Sequence, residues 1–116
     1  MKVISIYRRL YNMLGICRKA GYLILGTAQV EASILNNKAK LVILDSRLSK
    51  RTVAKFKRLC EANEVDILLM EDNIILGKSI GRDEIKIVAV TSNSFKGQIY
   101  KLYNSVTGVS DECQIK

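Results

Sequence analysis

The residues best placed to do chemistry in this 116-residue chain are cations, glycines and small polar side chains. They meet in the run Arg18-Lys19-Ala20-Gly21-Tyr22-Leu23-Ile24-Leu25-Gly26-Thr27. Two cations stand beside a glycine-bounded crossing into what patterns as a helix start. Backbone N–H groups from Gly26 to Gln29, at the positive end of that helix dipole, would form a seat for a phosphate. Thr27 and Gln29 add directional hydrogen bonds without adding like charge. A plainer reading fits the same residues equally well: Thr27 as a helix cap, Gly21 and Gly26 as turn formers.

Other chemistries lack their parts. The chain has no histidine, so the commonest general base and the usual partner of a Ser or Cys nucleophile are missing. The acidic pairs Asp83–Glu84 and Asp111–Glu112 are adjacent in sequence, and neighbouring side chains on a helix or strand point apart. Gly77-Lys78-Ser79 resembles the end of a phosphate-binding P-loop, but position 72 is Asp where the opening glycine belongs. The intervening Asn73-Ile74-Ile75-Leu76 patterns as amphipathic helix. The expectation is a non-enzyme with no catalytic residues and no nucleotide at Gly77–Ser79. Cys17, Cys60 and Cys113 are widely spaced and form no C-x-x-C pair, so neither a metal nor any other cofactor is expected. Cys17 and Cys60 fall at apolar helix positions and read as core residues.

The charge is strongly biased. Nineteen Lys and Arg against eleven Asp and Glu give a net +8. Residues 1–64 hold 13 basic and 4 acidic residues, while residues 65–116 hold 6 and 7. A basic half joined to a neutral half implies one electropositive face, whose usual partner is a polyanion. Free thiols without a disulfide framework suit a reducing cytoplasm. Arg8 and Arg9 interrupt the place where a signal peptide needs its apolar stretch, and no run reaches membrane-spanning length. No membrane partner is expected.

The elements that must position these residues follow from periodicity. Ile6, Leu10, Met13, Leu14 and Cys17 line one face of a helix over about Val3–Lys19, closed by Gly21. A short extended piece, Tyr22–Leu25, leads to Gly26. Thr27 then caps a helix to about Asn37 that buries Val30, Ile34 and Leu35. Lys40–Leu44 reads as an apolar strand short enough to be buried on both faces, and Val65–Met70 as a second apolar strand. Between them Ser49 caps a helix to about Asn63, with Val53, Phe56, Leu59 and Cys60 inward and Lys50, Arg51, Lys55, Lys57 and Arg58 outward. A short helix around Asp72–Ile80, a strand Ile85–Thr91 and a helix Ser94–Val106 complete the chain. This alternation predicts one domain over residues 1–116, an α/β/α three-layer sandwich on a mixed sheet of about four strands, with a flexible tail from about residue 108. Leu41–Leu44 and Ile87–Val90 are its expected central strands.

The junction also carries a resemblance. Leu14-Gly15-Ile16-Cys17-Arg18-Lys19-Ala20-Gly21-Tyr22-Leu23-Ile24-Leu25-Gly26, continued by Asn37-Lys38-Ala39-Lys40-Leu41-Val42-Ile43-Leu44-Asp45, resembles the ribosomal protein L7Ae/L30e superfamily, and most nearly its small bacterial members of the YlxQ type. Lys55-Phe56, Cys60-Glu61 and Leu76-Gly77-Lys78-Ser79-Ile80-Gly81 agree in order, so the likeness covers about residues 5–105. It implies an α/β/α sandwich and recognition of kink-turn-like or other structured RNA in a ribosomal context, without catalysis. The family's second helix opens with Gly-Thr-Asn-Glu-Val-Thr-Lys or a close variant. Gly26 and Thr27 match it, Gln29 stands at the Glu position, and Ala28 and Ala32 replace the Asn and Lys. Lys38 matches the basic residue before the second strand. The loop after Gly81, usually apolar, reads Arg82-Asp83-Glu84.

The resulting expectation is a cytoplasmic RNA-binding accessory protein of translation, with ribosomal proteins as further partners. Its RNA-binding edge comprises Lys19, Gly26, Thr27, Gln29, Lys38 and Arg82, the three cations neutralising phosphates. Two alternatives accompany it: a protein-interaction module of the translation machinery, marked by an apolar patch at the Gly26–Ile85 edge, and an RNA-recognition subunit serving a separate modifying enzyme.

Overall fold

The structure is a computed structural model that describes residues 2–70, 80–82 and 84–107, with side chains from Arg8 to Tyr103 within those ranges. In chain order the elements are helix α1 (Lys2–Lys19), strand β1 (Leu23–Leu25), helix α2 (Thr27–Leu35), strand β2 (Leu41–Leu44), helix α3 (Lys50–Ala62), strand β3 (Asp66–Leu69), strand β4 (Ile87–Val90) and helix α4 (Asn93–Thr107). The expected helix around Asp72–Ile80 and the Gly77–Ser79 segment lie largely outside the described residues, as do Cys113 and the tail.

The four strands form one mixed sheet in the order β1-β4-β2-β3. β2 runs parallel to β3 and antiparallel to β4, and β1 is antiparallel to β4. Helices cover both faces, because β2 and β4 alternate their side chains between two apolar clusters. Leu41, Ile43, Val88 and Val90 pack with Leu10, Leu14 and Cys17 of α1 and Ile99 of α4. Val42, Leu44, Ile87 and Ala89 pack with Val30 and Ile34 of α2 and Phe56 and Cys60 of α3. All eight residues of β2 and β4 are buried, as their unbroken apolar runs require. The expected α/β/α sandwich is what the chain forms.

The strand expected at Val65–Met70 is β3, at the sheet edge with Leu69 39% exposed. Two expectations need correction. Leu35, expected inward, is 56% exposed. Ser33 takes that inward place, donating its hydroxyl to the Val30 carbonyl at 2.7 Å. Thr27 is the first residue of α2 rather than its cap; Gly26 caps it, and no side chain closes the helix start. Ser49 does cap α3, accepting the Thr52 N–H at 3.2 Å.

Candidate nucleic-acid interface

Topology decides where the cations and free donors gather. β1, β2 and β3 run in one direction and β4 in the other, so Leu25, Leu44, Leu69 and Ile87 share one end of the sheet. In open α/β sheets the crevice beyond the carboxyl ends of the strands is where ligands bind. α2 follows β1 and α3 follows β2, so both helices begin at that end and present their N-terminal dipoles there. Neither has an acidic residue in its first turn.

Gly26 makes the sharp entry into α2. Its φ of 94° and ψ of 153° are essentially accessible only to glycine, and its N–H donates to the Ile87 carbonyl at 3.1 Å. The Val30 N–H closes the first helical bond on the Gly26 carbonyl at 2.9 Å. The N–H groups of Thr27, Ala28 and Gln29 are thereby left without intrahelical acceptors on exposed residues. Such a row of oriented donors suits an anion.

Beside this row lies the segment that leads into β4. Arg82 is exposed and its Nε donates to the Glu84 carboxylate at 2.7 Å. That hydrogen bond holds the Glu84 carboxyl below its ordinary pKa. Arg82 therefore meets a phosphate only in competition with Glu84, a weak obstacle for a pair this exposed. Sequence reading missed the clamp behind it. Asp45, fully buried at the end of β2, accepts Arg47 Nε at 3.1 Å, Nη2 at 2.9 Å and the Arg47 backbone N–H at 2.9 Å. The Asp45 N–H in turn donates to the Lys86 carbonyl at 2.8 Å, and Arg47 Nη2 reaches the Ile85 carbonyl at 3.4 Å. The β2–α3 connection and the approach to β4 are thus tied together. Only the close spacing of an acid and an arginine hinted at this in the sequence.

The six expected RNA-binding residues do not form one edge. Gly26, Thr27 and Gln29 gather at the end just described, and Arg82 lies on the segment that enters β4 there, two residues after the Ile80 carbonyl that accepts Arg18 Nη1 at 3.0 Å. Lys38 lies beyond the far terminus of α2, its N–H bonded to the Ser33 carbonyl at 2.9 Å. Next to it, Lys40 bonds the carbonyl of Val90, at the opposite end of β4. Nine helical residues, about 13 Å, separate the two ends of α2. Lys19 closes α1 ahead of β1, also toward the Lys38 end. On α3 all five expected outward cations are exposed, and Lys55 is paired with Glu31 of α2 at 3.1 Å. At the start of α3, Ser46, Leu48, Lys50, Val53, Ala54, Lys57 and Leu69 line an open pocket of about 340 Å³. Among the described residues no group of three or more Cys, Asp or Glu could hold a metal ion, and no helix is long and apolar enough to cross a membrane.

Comparison with known proteins agrees with this architecture. The chain is 32% identical over 92 residues to the RNA-binding protein YlxQ of Bacillus subtilis (strain 168), a match spanning 79% of this chain and 92% of that protein. A solved structure of a protein with unknown function from Bacillus halodurans C superposes with a TM-score of 0.76 at 25% identity, covering 82% of this chain and 96% of the other. The family model described as Ribosomal protein L7Ae/L30e/S12e/Gadd45 matches residues 8–100. With the sandwich, the glycine-entered helix and these matches in agreement, the chain belongs to the L7Ae/L30e/S12e/Gadd45 family.

Proposed function

We propose that this protein is a non-enzymatic, cytoplasmic RNA-binding accessory of translation. It grips structured, kink-turn-like RNA at the sheet end formed by Gly26 and the segment entering β4. The observation that carries the reading is the open start of α2: exposed Thr27, Ala28 and Gln29, no capping side chain and no acidic residue in the first turn. Backbone donors there hold a phosphate, Thr27 and Gln29 supply directional bonds, and Arg82 exchanges Glu84 for the RNA backbone. The pocket at the start of α3, apolar below and edged by Lys50 and Lys57, offers space for an unstacked base. Ribosomal proteins are its further partners.

An apolar patch at the Gly26–Ile85 edge would favour a protein partner instead. The large exposed apolar residues among those described are Ile16, Tyr22, Leu35 and Leu69, and Ile85 is buried. Lys19 and Lys38, toward the other end of the fold, are left to contact flanking phosphates.

The test is binding of a kink-turn hairpin and a scrambled hairpin across a salt series. Thr27→Ala with Gln29→Ala should lower affinity for the kink-turn by about 1–3 kcal/mol, narrowing discrimination. Lys38→Ala, and separately Lys55→Ala with Lys57→Ala, should lower affinity for both RNAs and reduce the salt slope by about one unit per lost phosphate contact. Discrimination surviving in the first variant and vanishing in an α3 variant would reassign the site. Failure of the unmodified protein to bind either hairpin would end the reading.

A further inference from the structure

The strongest feature outside that end is on the other face of the sheet, along α1. Arg8, Arg9, Asn12, Ile16 and Lys19 fall within about 100° of helical arc, on the side away from the buried Leu10, Leu14 and Cys17. All five are exposed, and among the described residues Arg8, Arg9 and Lys19 have no ion-pair partner. The first acidic residue in the chain is Glu31, so nothing on this helix neutralises them. From Arg8 to Lys19 the stripe is about 16 Å long.

The stripe leads into an exposed ring. Gly21, at φ 85°, turns the chain so that Tyr22 follows immediately. The Tyr22 N–H donates to the Cys17 carbonyl at 3.0 Å, and its carbonyl accepts the Thr91 N–H at 3.0 Å, the Thr91 hydroxyl at 3.3 Å and the Cys17 thiol at 3.4 Å. The ring lies 5.9 Å from Phe95, tilted by 46°. Tyr22 is nevertheless 45% exposed, and Ile16 is 54% exposed. A fixed, solvent-facing aromatic beside a run of unpaired cations is the combination that binds unpaired nucleic-acid strands, the cations following the backbone and the ring stacking a base.

We propose that the α1 stripe and Tyr22 form a second RNA contact that takes a single-stranded segment. Phosphates lie along Arg8, Arg9 and Lys19, and one base stacks on Tyr22. The proposal rests on the RNA-binding reading above and extends its footprint to the α1–α4 face. A single strand fits better than a duplex, because a duplex hides its base faces from a protruding ring. An acidic membrane surface is the competing occupant of a basic stripe carrying Ile16 and Tyr22.

The experiment uses the full chain with three probes: a fluorescein-labelled oligouridylate, the kink-turn hairpin without single-stranded tails, and phosphatidylglycerol vesicles. Tyr22→Ala should weaken oligouridylate binding roughly tenfold, while Tyr22→Phe, which keeps the ring, should stay near the unmodified value. Arg8→Gln with Arg9→Gln and Lys19→Gln should reduce the salt slope for oligouridylate by about 0.7 per lost contact, roughly 2 in all. Tyr22→Ala should keep the hairpin discrimination that Thr27 and Gln29 provide. Urea midpoints control for folding. An oligouridylate affinity unaffected by Tyr22→Ala would overturn the proposal, as would no oligouridylate binding, or Tyr22-dependent uptake by vesicles in its place. If Thr27→Ala with Gln29→Ala leaves hairpin discrimination intact while the Tyr22 effect holds, the error lies in the site at Gly26 instead.

Discussion

The Asp45–Arg47 clamp supports an asymmetric prediction. Removing either partner of a buried ion pair strands the other, and the cost depends on whether the stranded charge can reach water. Asp45 has no exposed side-chain surface, whereas Arg47 keeps 34%. Asp45→Ala therefore leaves a cation that rehydrates by a rotamer change, and the loss is mainly hydrogen bonds to Arg47, about 2 kcal/mol. Arg47→Ala takes the guanidinium from a carboxylate sealed at the end of β2, which keeps the backbone N–H of residue 47, about 3–5 kcal/mol. With a urea m value of about 2 kcal/mol/M for a domain of this size, the midpoints should fall by about 1 M and about 2 M. Equilibrium urea unfolding by far-UV circular dichroism reads both. Equal losses, or a larger loss for Asp45→Ala, would refute the assignment of the costlier burial to Asp45.

Four further outcomes follow from local geometry. Ser49→Ala removes the side-chain acceptor of the Thr52 N–H and should cost about 1 kcal/mol in the same assay, with Ser49→Asp retaining most of it. Gly26→Ala meets no atom within 4 Å, yet its φ of 94° should cost about 1–3 kcal/mol through the backbone alone, seen as a lowered melting temperature. Burial raises the Cys17 thiol from 9.0 to about 11, and burial with the Asp66 charge raises Cys60 to about 12. Between pH 9 and 12 the unfolded chain ionises these thiols while the fold holds them protonated, so stability should fall with rising pH. Cys60→Ala should flatten that fall in urea midpoints measured upward from pH 8. Finally, Lys50 and Arg51 sit in the first turn of α3, where the dipole disfavours cations. Exchanging both for Glu should stabilise the fold by about 0.3–1 kcal/mol each at low salt while weakening RNA binding, and the two readouts moving together would contradict the dipole argument.

The fold was legible wherever a residue pattern had one physical solution. Leu41–Leu44 and Ile87–Val90 are unbroken apolar runs too short for helices, and the only stable home for such strands lies under helices on both faces. The α1 spacing of Leu10, Leu14 and Cys17 likewise has one buried side. Val65–Met70 is interrupted by Asp66, and it forms an edge. Whether a strand has one neighbour or two is set by pairing across the chain, which no local pattern encodes. Leu35 failed for a related reason: hydrophobicity favoured it, but Ser33 satisfies its own hydroxyl on the Val30 carbonyl and fits the space against the sheet.

The candidate site was legible as chemistry and not as geometry. Gly26, Thr27 and Gln29 fall within four residues, so sequence alone kept them together and the structure adds the uncapped helix start. Lys38 entered the same set through its place before the second strand, although a nine-residue helix and the length of the sheet carry it to the other end. The basic half of the sequence is therefore not one electropositive face. Its charges divide among the outer side of α3, the Lys38 end and the stripe of α1, which lie on different sides of the sheet. A rigid hairpin seated at Gly26 would leave α1 on the opposite face uncovered. An RNA that engages both must combine a folded element with a flexible strand passing around the β1 edge. That requirement gives the exposed ring of Tyr22, just before β1 and against Phe95 of α4, a role that the Gly26 end alone would not supply.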